Sequence, residues 1–193
     1  VDGPCGGLKA QRAWKTNSRN SMTMPTISDK STQRPFIISR VLGAARERVW
    51  KAWTEQERLM QWFGPKGSKM PVAKMNFRQG GVCHFCLRSP DGHELWGKWD
   101  IREIVVPERF VFIHSFSDPA GGVTRHPMSP TWPLEMLSTV TFAERDGGTL
   151  LTVQWSPLNP TAEEGRTFDS SHESMKQGWS GTFVQLADYL AKV

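Results

Sequence analysis

No stretch of this 193-residue chain comes near the roughly 18 to 20 consecutive apolar residues that a membrane-spanning helix needs, so a helical span is excluded. Cysteine is scarce as well. Of three cysteines, Cys5 stands apart and Cys83 and Cys86 form one C-x-x-C pair, and without a second pair a four-ligand zinc site cannot be completed. The pair also falls in a strand-like run, where positions three apart face opposite sides and the sulfurs diverge. The thiols are therefore expected to stay reduced, as in the cytosol, and no metal or other cofactor is expected. Basic residues are lacking where nucleic-acid binding would need them. The net charge is +5, but residues 1–34 hold six Lys and Arg against two acids, which leaves +1 for all the rest. A nucleic-acid surface groups its charge on the folded part.

Residues 1–34 also lack any apolar period and are rich in Gly, Ser, Thr and Asn, which predicts a disordered basic tail. They have no apolar core of a secretory signal and, though basic and nearly free of acids, only weakly resemble a transit peptide. Met22 and Met24 suggest translation starting there, with what precedes them an upstream extension or an expression remnant. Residues 35–193 are expected to form one domain.

What is present begins with residues 170–193, where Met175, Trp179, Phe183, Leu186, Tyr189 and Leu190 recur at steps of three and four. That repeat predicts a long amphipathic helix, and Ser170 with Glu173 has the spacing of a capping box at its start. Gly178 and Gly181 inside it each cost about 1 kcal/mol against alanine. Either a backbone packs close there or a ligand occupies the room. Residues 35–44 predict a first strand. Val49 and Trp53 then share a helical face, and Thr54 with Glu57 suggests a second capping box opening a short helix through Met60 and Trp62, ended by Phe63-Gly64-Pro65.

Beyond it the chain reads as strands separated by Gly80-Gly81, Pro90-Asp91-Gly92, Pro107 and Asp146-Gly147. Cys83, Phe85 and Leu87 alternate. So do Leu95, Gly97, Trp99 and Ile101, then Phe110, Phe112, His114 and Phe116, then Leu134, Met136, Ser138, Val140 and Phe142, then Leu151, Val153 and Trp155. Thr139, Thr141, Thr152 and Gln154 take the other face. The pattern predicts an antiparallel sheet with one face buried and one wet, covered by the C-terminal helix.

The phrases at residues 46–54 (RERVWKAWT), Gln61-Trp62-Phe63-Gly64-Pro65, Gly80-Gly81, Pro90-Asp91-Gly92, Pro107-Glu108-Arg109 and Gly178-Trp179 give the chain a resemblance to the START-like, or SRPBCC, helix-grip superfamily. Within it the chain looks most like the family of homologues of the activator of the heat-shock-protein ATPase, over about residues 36–191. The resemblance implies an α+β helix-grip fold: a curved antiparallel sheet wrapped around the C-terminal helix, with two short helices after the first strand. It also implies a ligand cavity, with cyclase-like or dehydratase-like enzymes among the relatives and a chaperone link in the family name. Two departures fall on that cavity: Phe63 stands where the family often has a second tryptophan, and Cys83 where it has a bulky aromatic.

The residues expected to line a cavity are Phe85, Trp99, Phe112, His114, Phe116, Met136, Trp155, Met175, Trp179 and Phe183. Large flat side chains with few polar groups suit a small, mainly hydrophobic ligand, an aromatic one being an option, bound without catalysis. The same side chains could instead fill the space. His114, set among phenylalanines, is either hydrogen-bonded structure or an acid or base, and the second role needs a partner within reach. His84, His93, His126 and His172 are expected to meet solvent. Residues 117–133 form the longest stretch without a pattern, to be a lid or a loose hairpin. Rival readings are an enzyme related to the cyclases and an interaction module for a protein partner.

Overall fold

The structure, a computed structural model, describes residues 34–193; residues 1–33, most of the expected tail, lie outside the described residues. Period-two alternation sets the sheet. Its strands are β1 (Phe36–Leu42), β2 (Lys69–Met75), β3 (Val82–Arg88), β4 (Glu94–Val105), β5 (Arg109–Ser117), β6 (Val123–Thr124), β7 (Glu135–Arg145) and β8 (Gly148–Pro157). They lie in the order β1-β8-β7-β5-β4-β3-β2, with β6 paired to the end of β5. Every pairing is antiparallel. One face of this curved sheet carries Trp99, Phe110, Phe112, Val140, Phe142, Leu151 and Val153, all buried. The helix-grip expectation holds.

The outer face is not uniformly wet. Cys86 is 0% exposed, and Ser115 and Ser117 are buried beside it. His84, expected in solvent, instead has its Nε2 at 3.2 Å from Ser117 Oγ and 3.1 Å from the Asp118 carbonyl. Cys83 is buried on the inner side, and burial pushes its thiol up to about 12. Burial, and then the Glu94 carboxylate, raises Cys86 too. Neither sulfur is a ready nucleophile, because the thiolate is the reactive form.

The helices of the described residues are α1 (Arg46–Thr54), α2 (Gln56–Leu59), α3 (Ala162–Ser170) and α4 (His172–Leu190), of which α1 and α4 carry the apolar stripes read in the sequence. Both capping boxes expected from sequence are misplaced. Thr54 is the last residue of α1 and donates its hydroxyl to the Trp50 carbonyl at 2.9 Å, while extended Glu55 precedes α2, which stops at Leu59 short of Trp62. Ser170 likewise already sits inside a helix, so no free N–H needs its oxygen, and it donates back to the Thr167 carbonyl at 3.0 Å. The capping box lies at Thr161–Glu164, opening α3. Sequence reasoning missed α3 because Phe168 is its one large apolar residue.

Residues 117–133 are neither a loose hairpin nor a free lid. The β6 segment pairs with Phe116 and Ser117, and Arg125 binds the Glu164 carboxylate at 2.6 Å. Thr167 bonds Thr131 at 2.9 Å, and Trp132 is buried against Phe168. The segment is fastened to α3. At the other end of α4, Arg48 donates to the carbonyls of Leu190 (2.8 Å) and Val193, tying α1 to the chain end.

Candidate functional site

Helix α4 lies along the concave face and holds the turn after α2 by hydrogen bonds. Thr182 donates to the Gly64 carbonyl at 3.0 Å, and Gln185 donates to the carbonyls of Gly64 (2.8 Å) and Trp62 (3.0 Å). Gly64 sits at φ 129°, a conformation L side chains rarely adopt, which makes glycine the residue for that position. The clamp sets Phe63, Gly64 and Pro65 above the sheet, and a cavity of about 220 Å³ remains between them, the strands and α4.

Trp53 of α1 forms the floor. Its ring stacks on Trp179 (6.1 Å, 17°) and Trp99 (6.3 Å, 28°). The sheet side consists of Phe85, Trp99, Phe112, His114, Phe116 and Trp155, and the helix side of Met175 and Trp179. Eight of the ten residues expected on the wall are on it. Met136 and Phe183 are not; they are 2% and 1% exposed, packed in the core beyond the cavity. Alternation identified their face correctly but not their depth along it. Of the two departures tied to the cavity, Phe63 is on the wall and Cys83 is not; sequence reasoning did not place Trp53, Leu87 and Leu95 there, since only tertiary packing brings α1 and the strand ends to it.

The two helix glycines differ in their surroundings. A Cβ on Gly181 would meet Lys66 Cβ at 3.6 Å and the Lys66 backbone nitrogen at 3.7 Å, ordinary contact distances that leave room for a methyl. A Cβ on Gly178 would meet nothing within 4 Å, and Gly178 lies at the exposed rim of the cavity. Bareness there keeps the rim open. Gly97 serves the interior in another way: a Cβ at this position would come within 2.8 Å of the Phe85 ring, so its absence lets that ring lie flat on β4.

None of the wall residues is charged. The hydroxyl of Thr182 is committed to Gly64 and to its own helix. His114 is the titratable group on the wall, and what surface it keeps faces the cavity. Burial pushes it down to about 4, so the imidazole is neutral at pH 7. Its ring lies 5.3 Å from Trp155 and 5.7 Å from Phe116. Nδ1 is sealed off and has no partner among the described residues. Trp155 Nε1 and Ser138 Oγ share that condition, and Ser138 stands directly opposite Trp155 in the register.

His126 and His172 differ from expectation, while His93 does not. His126 packs edge-on against Phe116 at 4.6 Å, behind the wall, and burial lowers its pKa. His172 lies between Phe36 and Phe168 with a sealed Nε2, whereas His93 is exposed. Chemically, the arrangement can enclose a flat apolar molecule and offer it one hydrogen bond. His114 itself stays neutral at pH 7, and no other titratable side chain lines the wall.

Comparison with known proteins extends this picture. No curated protein matches the chain. Among solved structures, protein Ms6760 from Mycobacterium smegmatis is 23% identical, with a TM-score of 0.67 over 81% of this chain and 90% of that one. Protein NE0264 from Nitrosomonas europaea gives 20% and 0.65 over 83% and 96%. The AHSA1 protein SPO3351 from Silicibacter pomeroyi gives 18% and 0.63 over 82% and 98%. At these identities the likeness establishes the fold. The family model described as Activator of Hsp90 ATPase homolog 1-like protein matches residues 43–191, from the turn before α1 to the end of α4, and the chain belongs to that family.

Proposed function

We propose that the protein binds one small, mainly hydrophobic, aromatic molecule between α4 and the sheet and does not transform it. The observation that carries this reading is an uncharged, largely aromatic wall around about 220 Å³ of space. An engineered apolar cavity of about 150 Å³ takes up benzene, and drug-sized ligands occupy roughly 300–1,000 Å³. A ligand of one or two rings suits the volume. Catalysis in the same cavity would need a proton-transfer partner for His114, and the wall supplies none. The setting proposed is the cytoplasm, where the free thiols of Cys83 and Cys86 stay reduced.

Native mass spectrometry of the gently purified protein, incubated with 2-ethylnaphthalene if nothing is retained, tests the proposal. The expected result is a one-to-one adduct that Gly178→Trp, which plugs the rim, abolishes. Absence of any adduct on the unmodified protein, or an adduct unaffected by the plug, overturns it.

A further inference from the structure

Resting on that reading, we infer that the cavity selects an uncharged aromatic molecule whose polar atom is a hydrogen-bond-accepting oxygen, seated against the Nε2–H of His114. Three observations lead there. First, buried polar atoms without partners are few in folded proteins, and those that occur ask for an explanation. Here three of them, on His114, Trp155 and Ser138, belong to neighbours on the inner face of β5, β8 and β7. These three atoms are sealed beneath the wall, beyond a ligand's reach; the polar atom that this end of the cavity leaves accessible is His114 Nε2.

Second, the two nitrogens of His114 are not equivalent. Nδ1 is sealed and unpartnered, while Nε2 has no partner among the described residues and is not sealed. A neutral imidazole carries one proton. Nδ1 goes unsatisfied in either tautomer, but a sealed N–H without an acceptor is rarer in folded proteins than an under-satisfied acceptor, which places the proton on Nε2. On Nε2 it points into the cavity, where an oxygen can use it. His114 therefore presents a donor, and the ligand supplies the acceptor.

Third, the wall carries no cation. A carboxylate or phosphate taken from water into this enclosure would lose its hydration without a countercharge, which buried anions do not tolerate. A carbonyl or hydroxyl oxygen on a ring loses far less and recovers it through the imidazole N–H. The ligand class is thus aromatic ketones, phenols and similar neutral oxygen-bearing rings, and aromatic acids are turned away.

Three naphthalenes of matched shape provide the test: 2-acetylnaphthalene, 2-ethylnaphthalene and 2-naphthoate, titrated at pH 7 by NMR. The ketone is expected to bind about three- to tenfold more tightly than the hydrocarbon, the range one net hydrogen bond gives, and the acid most weakly. His114→Phe should remove the ketone's advantage over the hydrocarbon measured on the same variant; His114→Gln, which keeps a donor, should retain part of it. Independently of any variant, the imidazole ¹⁵N shifts of the unmodified protein should report the Nε2–H tautomer. Equal binding of ketone and hydrocarbon, preference for the acid, or an Nδ1–H tautomer overturns the inference while leaving the cavity reading intact. If none of the three binds, both fall.

Discussion

The concave face has a filled end and an open end, built from the same strands and largely the same residue types. At the filled end Trp53 is 0% exposed, with Phe110, Phe142, Leu151 and Leu186 all at 2% or less. At the open end Leu87, Leu95, His114, Phe116 and Trp155 remain half-buried. Strand β5 crosses both: Phe110 closes the core, Phe112 stands at the boundary where the wall begins, and His114 and Phe116, on the same face, look into space. What differs lies above the sheet. Over the filled end α1 inserts Trp50 and Trp53, whose rings meet Phe110 and Phe142 edge-on. Over the open end α4 offers Gly178. A strand's inward face thus becomes core or cavity according to the helix placed on it.

The largest expected effect comes from emptying the filled end. Trp53→Ala should cost about 4–5 kcal/mol, the upper range for a buried aromatic whose void cannot collapse, measured by denaturant unfolding. Trp179→Ala, at the boundary with 7% exposure, should cost about 3 kcal/mol and abolish ligand uptake, since Trp179 is both core and wall. A Trp179→Ala variant that loses stability but still binds would move that residue to the filled end.

Acid should act through the open end. The folded pKa of His114 is about 4, below the ordinary 6.5, so between those values the unfolded chain holds a proton that the folded one refuses. Stability present above pH 6.5 is then lost as pH falls toward 4, by about 3 kcal/mol in all. His126, also lowered by burial, and the Glu164 carboxylate, held low by Thr161 and Arg125, lose stability in the same direction. The difference in slope between the unmodified protein and His114→Phe isolates the His114 share; parallel pH profiles would show that His114 is open to water when folded.

Two glycines sharpen the contrast at smaller scale. Gly97→Ala should cost about 1–2 kcal/mol by overpacking and weaken binding, because the displaced Phe85 ring moves into the cavity. Gly178→Ala should do the opposite to stability, adding up to about 1 kcal/mol of helix propensity where a methyl meets nothing. Both follow from thermal or denaturant melts, and a destabilised Gly178→Ala would mean the rim is packed.

The faces of the strands and of α4 were legible in the sequence, because period-two alternation and the three-four repeat of α4 report which way a side chain points. Position along a face was not. Met136 and Phe183 carry the same pattern as their neighbours and yet fall outside the cavity, since depth depends on cross-strand register and helix placement. The fit of the Phe85 ring over Gly97 is a register effect of the same kind. Local motifs misled where tertiary context had already satisfied the backbone: Ser170 and Thr54 match a capping pattern but sit inside helices, while Thr161, in a polar stretch without apolar period, is the true cap. The apolar character of the wall was legible in the ten residues expected on it, none of them charged; that no charge enters from elsewhere depends on a surface assembled by folding and was not legible.

The most direct test of the account is the indole N–H region of the ¹H–¹⁵N spectrum during titration with 2-acetylnaphthalene. The account predicts saturable one-to-one shifts at Trp99, Trp155 and Trp179, which line the open end, with Trp50 and Trp132, which do not, unmoved. Shifts confined to Trp50 and Trp132, or none that saturate, would contradict it.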